Sequence, residues 1–120
     1  MAIPSADLPD PPESVLLAQC LQALAAWGIL AWRTNSGAMT VRDGHSRRHV
    51  RFSGAIGQSD ICAVLPGGRA CFCEIKRRNG RLSAAQANFL KVVGAAGALA
   101  FVARSVKELE EALRKEGILL

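Results

Sequence analysis

Ser59-Asp60-Ile61-Cys62-Ala63-Val64-Leu65, then Pro66-Gly67-Gly68, then Arg69-Ala70-Cys71-Phe72-Cys73-Glu74-Ile75-Lys76 are two apolar runs joined by a glycine turn. They read as the two strands of a β-hairpin. A three-residue loop containing glycine supplies the left-handed backbone position that such a connection needs. With Leu65 set against Arg69, counting back along both strands places Asp60 opposite Glu74. Opposed residues share a face and stand about 5 Å apart at Cβ. Side chains alternate, so Lys76 joins Glu74 on that face while Ile75 points into packing. A slip of one residue would carry Asp60 to the other side, which makes the arrangement depend on loop length.

Two carboxylates at that separation repel each other, and one pKa rises unless a cation lies between them. Oxygen ligands on a shallow, hydrated site suit Mg2+ or Mn2+, which keep several waters and use one or two carboxylates plus substrate phosphate. An amine alongside orients water or offsets charge on a pentavalent phosphorus. Phosphodiester hydrolysis uses all of these groups, so Asp60, Glu74 and Lys76 are the expected catalytic core. The bland alternative is a turn-capping aspartate with a solvated Glu74–Lys76 pair. Against it, Ile61 to Leu65 and Cys71 to Cys73 are apolar on both faces, as in an interior strand, and charges at the ends of buried strands need a reason.

A chain of 120 residues, half of them hydrophobic and 21% charged, allows one domain with one core. Residues 1–12, rich in proline and aspartate, read as a flexible leader, and 13–120 as the domain. No apolar run approaches the roughly 20 residues that span a bilayer. The start lacks the basic and apolar segments of a secretory signal. A cytoplasmic protein without membrane attachment is therefore expected.

The net charge of +5 points to an anionic partner. Arg33, Arg42, Arg47, Arg48 and Arg51 precede the hairpin, and Arg69, Lys76, Arg77, Arg78, Arg81 and Lys91 surround it. That placement suits a nucleic-acid backbone. Cys20, Cys62, Cys71 and Cys73 include no C-x-x-C pair and do not converge in this register, so they read as free thiols of a reduced compartment. His45 and His49 fall in a polar loop.

Asp10-Pro11-Pro12-Glu13 opens a helix, with Asp10 as N-cap and Glu13 completing a capping box. The helix runs from Val15 to Trp27, carries Leu17, Cys20, Leu21 and Leu24 on one stripe, and ends at Gly28. Ile29 to Arg33 reads as a strand, Ala38 to Phe52 as an arginine-rich hairpin through Asp43-Gly44, and Ser53 to Gly57 as a loop. Ser83-Ala84-Ala85-Gln86 forms a second capping box, opening a helix to about Ala95. Gly97 to Ala103 is a short strand and Val106 to Glu116 an amphipathic helix. The order is helix, three or four strands, helix, strand, helix. Glu13 and Gln86 both lie on apolar stripes, so each leans toward the core as well as toward a cap.

Glu13, Gly57-Gln58-Ser59-Asp60, Glu74-Ile75-Lys76 and Gln86, in this order and spacing, resemble the PD-(D/E)xK nuclease superfamily, and more narrowly its virus-type replication-repair (VRR-NUC) branch. Trp32 to Gly37 and Gly80 to Gln86 resemble that branch too, and the likeness extends from Glu13 to about Val106. The resemblance implies an α/β fold with a restriction-endonuclease-like αβββαβ core, a mixed sheet flanked by helices, and a further C-terminal helix. It implies Mg2+- or Mn2+-dependent DNA cleavage, with Asp60, Glu74 and the Ile75 carbonyl on the metal and Glu13 reaching it directly or through water. Lys76 would position water, and Gln86 would orient water or the lysine. Arg33, Asn35, Arg51, Arg77, Arg78 and Arg81 would hold phosphates, contacts that position a duplex without reading its sequence. Branched, flap or junction DNA is the expected partner, and cutting a junction needs two sites, which favours a homodimer. The rival expectation is a catalytically silent DNA-binding or phage accessory protein that keeps the nuclease fold.

Overall fold

The computed structural model describes residues 9–34, 37–52 and 56–120. Residues 1–8 of the expected leader, Asn35 and the side chain of Arg51 lie outside the described residues. The elements are α1 (Glu13–Ala26), β1 (Leu30–Arg33), β2 (Gly37–Asp43), β3 (Ser46–Phe52), β4 (Ile61–Val64), β5 (Ala70–Ile75), α2 (Ala84–Ala95), β6 (Leu99–Ala103) and α3 (Val106–Lys115). A four-stranded sheet has the order β1-β4-β5-β6, and β2–β3 forms a separate two-stranded sheet. Pairing is antiparallel except between β5 and β6, which run parallel. Parallel neighbours need a long crossover, and α2 provides it. Setting aside the inserted β2–β3 hairpin, the order is αβββαβ with α3 appended, a mixed α/β fold. Among the described residues five strands precede α2, against the three or four expected, because the arginine-rich hairpin adds two strands in a sheet of its own.

Alternation along the central strands sorts side chains to two faces. Ile61, Ala63, Leu65, Cys71, Cys73 and Ile75 are buried with Leu16, Leu17, Cys20 and Leu24 of α1 and Leu109 and Leu113 of α3. On the opposite face Phe72 meets Phe89 of α2 edge to face, with ring centroids 5.4 Å apart. Both faces of β5 are therefore covered, as its apolar run requires. The cysteines are free, and burial pushes the Cys20 thiol up to about 11 and Cys71 up to about 12. Such thiols behave as small hydrophobes. Among the described residues no helix is long and apolar enough to cross a membrane.

The helices start where polar caps dictate, with one exception. Ser83 accepts the Gln86 N–H while Gln86 accepts the Ser83 N–H, a complete capping box on α2. Ser105 caps α3 through the Glu108 N–H at 3.1 Å, and Arg114 and Lys115 sit at the opposite, negative end of the helix dipole. The expected Asp10 cap on α1 does not form. The N-cap is Pro12, and Asp10 turns away to Arg77 and Arg78. Glu13 is thus the first helical residue, with no capping partner.

Gly57 ties the loop before β4 to α2. It has φ +76°, and a Cβ there would overlap the Ala85 carbonyl and stand 2.7 Å from the Gln86 nitrogen. Gly28 shares φ +76° but faces open space. Gly28→Ala is expected to cost about 1 kcal/mol, the ordinary penalty for a left-handed alanine. Gly57→Ala meets rigid backbone as well and is expected to cost about 3 kcal/mol or more. Urea denaturation of the two variants measures the difference, and equal losses would contradict the close approach.

Candidate metal centre

The hairpin register is the expected one. Ile61 pairs with Cys73 and Val64 with Ala70, and the Leu65 N–H donates to the Arg69 carbonyl at 2.8 Å. One step beyond Ile61 and Cys73 stand Asp60 and Glu74. Asp60 lies just before β4 and is held from both neighbouring strands. Its carbonyl accepts the Thr34 N–H at 2.9 Å, its Oδ2 accepts the Ile75 N–H at 2.8 Å, and the Thr34 hydroxyl donates to the carbonyl of fully buried Ser59.

Glu74 is 1% exposed, which excludes a solvated Glu74–Lys76 pair. Its Oε1 accepts from Gln86 Nε2 at 3.0 Å and lies 3.6 Å from Lys76 Nζ. Its Oε2 is buried and meets no hydrogen-bond donor among the described residues, while the Asp60 carboxyl lies within hydrogen-bonding reach of Glu74. Burial first, and the neighbouring Asp60 charge second, push the Glu74 carboxyl from the ordinary 4.5 up to about 8, with Lys76 pulling the other way. Gln86 serves two structures at once: its Oε1 completes the α2 cap and its Nε2 orients the carboxylate.

Glu13, Arg33, Asp60 and Ile75 line one cleft of about 190 Å³ with Ser14 and Leu17. A second cleft, about 390 Å³, shares Glu13 and adds Asp10, Arg77, Asn79 and Gly80. The fold therefore brings together Asp60, Glu74, Lys76 and Gln86, with Glu13 and Arg33 beside Asp60. Arg81 is exposed on the loop before α2. Arg69, counted in the sequence among the cations surrounding the site, is instead at the turn end of the hairpin, bonded to Gly97 and Glu116. Asp10 engages the Arg77 guanidinium and, of Arg78, the backbone N–H.

Arg104 was not anticipated. Its Nη1 donates to the carbonyls of Arg77 and Gly80, each at 2.7 Å, and to that of Arg78 at 3.3 Å. The signal that marked Lys76, a charge directly after an apolar strand, also marks Arg104, because β5 and β6 end side by side at Ile75 and Ala103.

A hard divalent cation suits these residues. Glu74 Oε2 meets no donor among the described residues, its twin oxygen is already held, and a second carboxylate is close enough to raise its pKa. Among the described residues no three His, Cys, Asp or Glu side chains converge as a ligand set. Mg2+ commonly takes only one or two carboxylates and completes its shell with water and substrate phosphate.

The folded protein holds a proton on Glu74 that the unfolded chain releases from about pH 4.5 upward. The metal-free protein therefore loses stability as pH rises from about 4.5 to about 8. Glu74→Gln is expected to flatten this slope and to be the more stable form at the upper end by on the order of a few kcal/mol. Urea denaturation in EDTA at about pH 5 and about pH 8 tests it; an unchanged slope in the variant would contradict the assignment. Comparison with protein-family models, with curated proteins and with solved structures finds no match.

Proposed function

We propose that this chain is a Mg2+- or Mn2+-dependent deoxyribonuclease of VRR-NUC type that hydrolyses phosphodiester bonds in branched, flap or junction DNA. The supporting observation is the buried Glu74 carboxyl, whose Oε2 meets no donor among the described residues, beside Asp60 and Lys76. A sealed carboxylate oxygen next to a second acid is unfavourable on its own, and a hard cation offsets both the desolvation and the repulsion. Asp60, Glu74 and the Ile75 carbonyl would hold the ion, with Glu13 reaching it directly or through water. The ion supplies Lewis-acid polarisation of a phosphate oxygen and activation of water.

The chain's own groups do the rest. Lys76, with its side chain 13% exposed, carries positive charge in a low-dielectric setting where it offsets charge growing on phosphorus. Gln86 keeps Glu74 in one orientation. Arg33, on the cleft wall with Asp60, suits a neighbouring phosphate. Phosphate contacts do not read bases, so recognition of shape follows, and paired cuts at a junction favour a homodimer. A cytoplasmic enzyme of a bacterial or phage-infected cell fits this reading. The rival reading is a DNA-binding accessory with a silent site.

With Mg2+ or Mn2+ present, the protein is expected to cut branched DNA, and EDTA to stop it. Asp60→Asn and Glu74→Gln should each lower cutting about 100-fold or more and abolish the rise in melting temperature that Mn2+ produces. Lys76→Gln should lose cutting but keep the Mn2+ response. Full cutting in the Asp60 or Glu74 variants would refute the site, and tight DNA binding without cutting in either metal would select the accessory reading.

A further inference from the structure

The Arg77–Gly80 loop carries a bound anion supplied by the chain itself. Asp10 Oδ2 accepts the Arg78 N–H at 3.1 Å and lies 3.4 Å from Arg77 Nε, while the Asp10 carbonyl accepts from Arg77 Nη2 at 3.2 Å. A guanidinium and a backbone N–H converging on one charged oxygen make an oxyanion site, and a phosphate oxygen meets the same requirements.

The loop does not depend on Asp10 for its shape. Arg104 holds three of its carbonyls, and the Gly80 N–H donates to the Arg77 carbonyl at 2.9 Å. Clefts lie on both sides of Asp10, the one with Glu13 and a larger one of about 460 Å³ lined in part by Pro9, Arg78, Arg104 and Ser105. The side chain of Arg77 is half exposed and that of Asp10 is 24% exposed, so a ligand in solution can reach them. Exposed ion pairs of this kind are weak and exchange readily for a better anion.

We propose that Arg77 and the Arg78 N–H form a preorganised phosphate-binding site that Asp10 fills in the nucleic-acid-free protein, and that a DNA backbone phosphate binds there by displacing Asp10. The proposal deepens the nuclease reading, because the cleft shared by Glu13 and Arg77 would seat a phosphate next to the one being cut. Binding at the loop itself needs no metal.

The test is binding of a short fluorescein-labelled DNA duplex in EDTA, followed by anisotropy at several salt concentrations. Asp10→Asn should tighten binding on the order of fivefold and steepen the salt dependence by about one phosphate contact. Asp10→Ser should do the same. Adding Arg77→Gln to Asp10→Asn should remove the gain. Glu116→Gln, which removes an equal charge at the far end of the sheet, should give a much smaller one. Unchanged binding by both Asp10 variants with normal melting curves overturns the proposal. So does a gain that survives Arg77→Gln or that Glu116→Gln matches. A gain in EDTA without any cutting in Mg2+ would keep this site and reject the nuclease, and cutting without a gain would do the reverse.

Discussion

Glu74 is an ionisable side chain almost sealed from water, and the β4–β5 pairing is what puts it there. The two strands are locked by a short turn in which Gly67 and Gly68 take φ +85° and +81°. A one-residue slip would exchange the places of Glu74 and Ile75. A carboxylate would then enter the apolar layer between the sheet and helices α1 and α3, and Asp60 would no longer stand beside it. The penalty for that slip is the desolvation of an unpaired charge. The same burial that enforces the register raises the Glu74 pKa and leaves its Oε2 without a donor among the described residues.

The site is held from several sides by groups that also build the fold. Gln86 closes the α2 capping box with one end of its amide and grips Glu74 with the other. Gly57 lets the loop before β4 approach that same helix turn. Thr34, just after β1, bonds both Ser59 and Asp60. Stability and orientation are therefore coupled here: a change that loosens the start of α2 also loosens the carboxylate. Sharing of this kind suits a centre whose oxygens must stay fixed while a charged substrate arrives.

The basic residues divide into distinct populations that net charge alone does not separate. Arg69 is tied to Glu116 far from the acids. Arg104 is spent on three carbonyls, and Arg77 on Asp10. Arg33 lines the cleft with Asp60, while Arg42, Arg47 and Arg48 are exposed on the separate hairpin. Groups of the last two kinds, like exposed Arg81, have no anionic partner among the described residues. Arg77 is the informative intermediate, because its present partner is itself an anion.

Local pattern determined the register of β4 against β5, the Ser83–Gln86 cap, the amphipathic α3 and the juxtaposition of Asp60, Glu74 and Lys76. Each follows from alternation, loop length or capping chemistry acting over a few neighbouring residues. Tertiary structure decided the rest. Asp10 had the sequence of a helix cap, yet its carboxylate went to a guanidinium and an N–H more than sixty residues away. Arg104 found the carbonyls of a loop on the adjacent parallel strand, and the arginine-rich hairpin closed on itself outside the main sheet. Capping and pairing rules rank only nearby partners. Long-range packing brings distant groups together, and a charged group then takes whichever partner best offsets its loss of water.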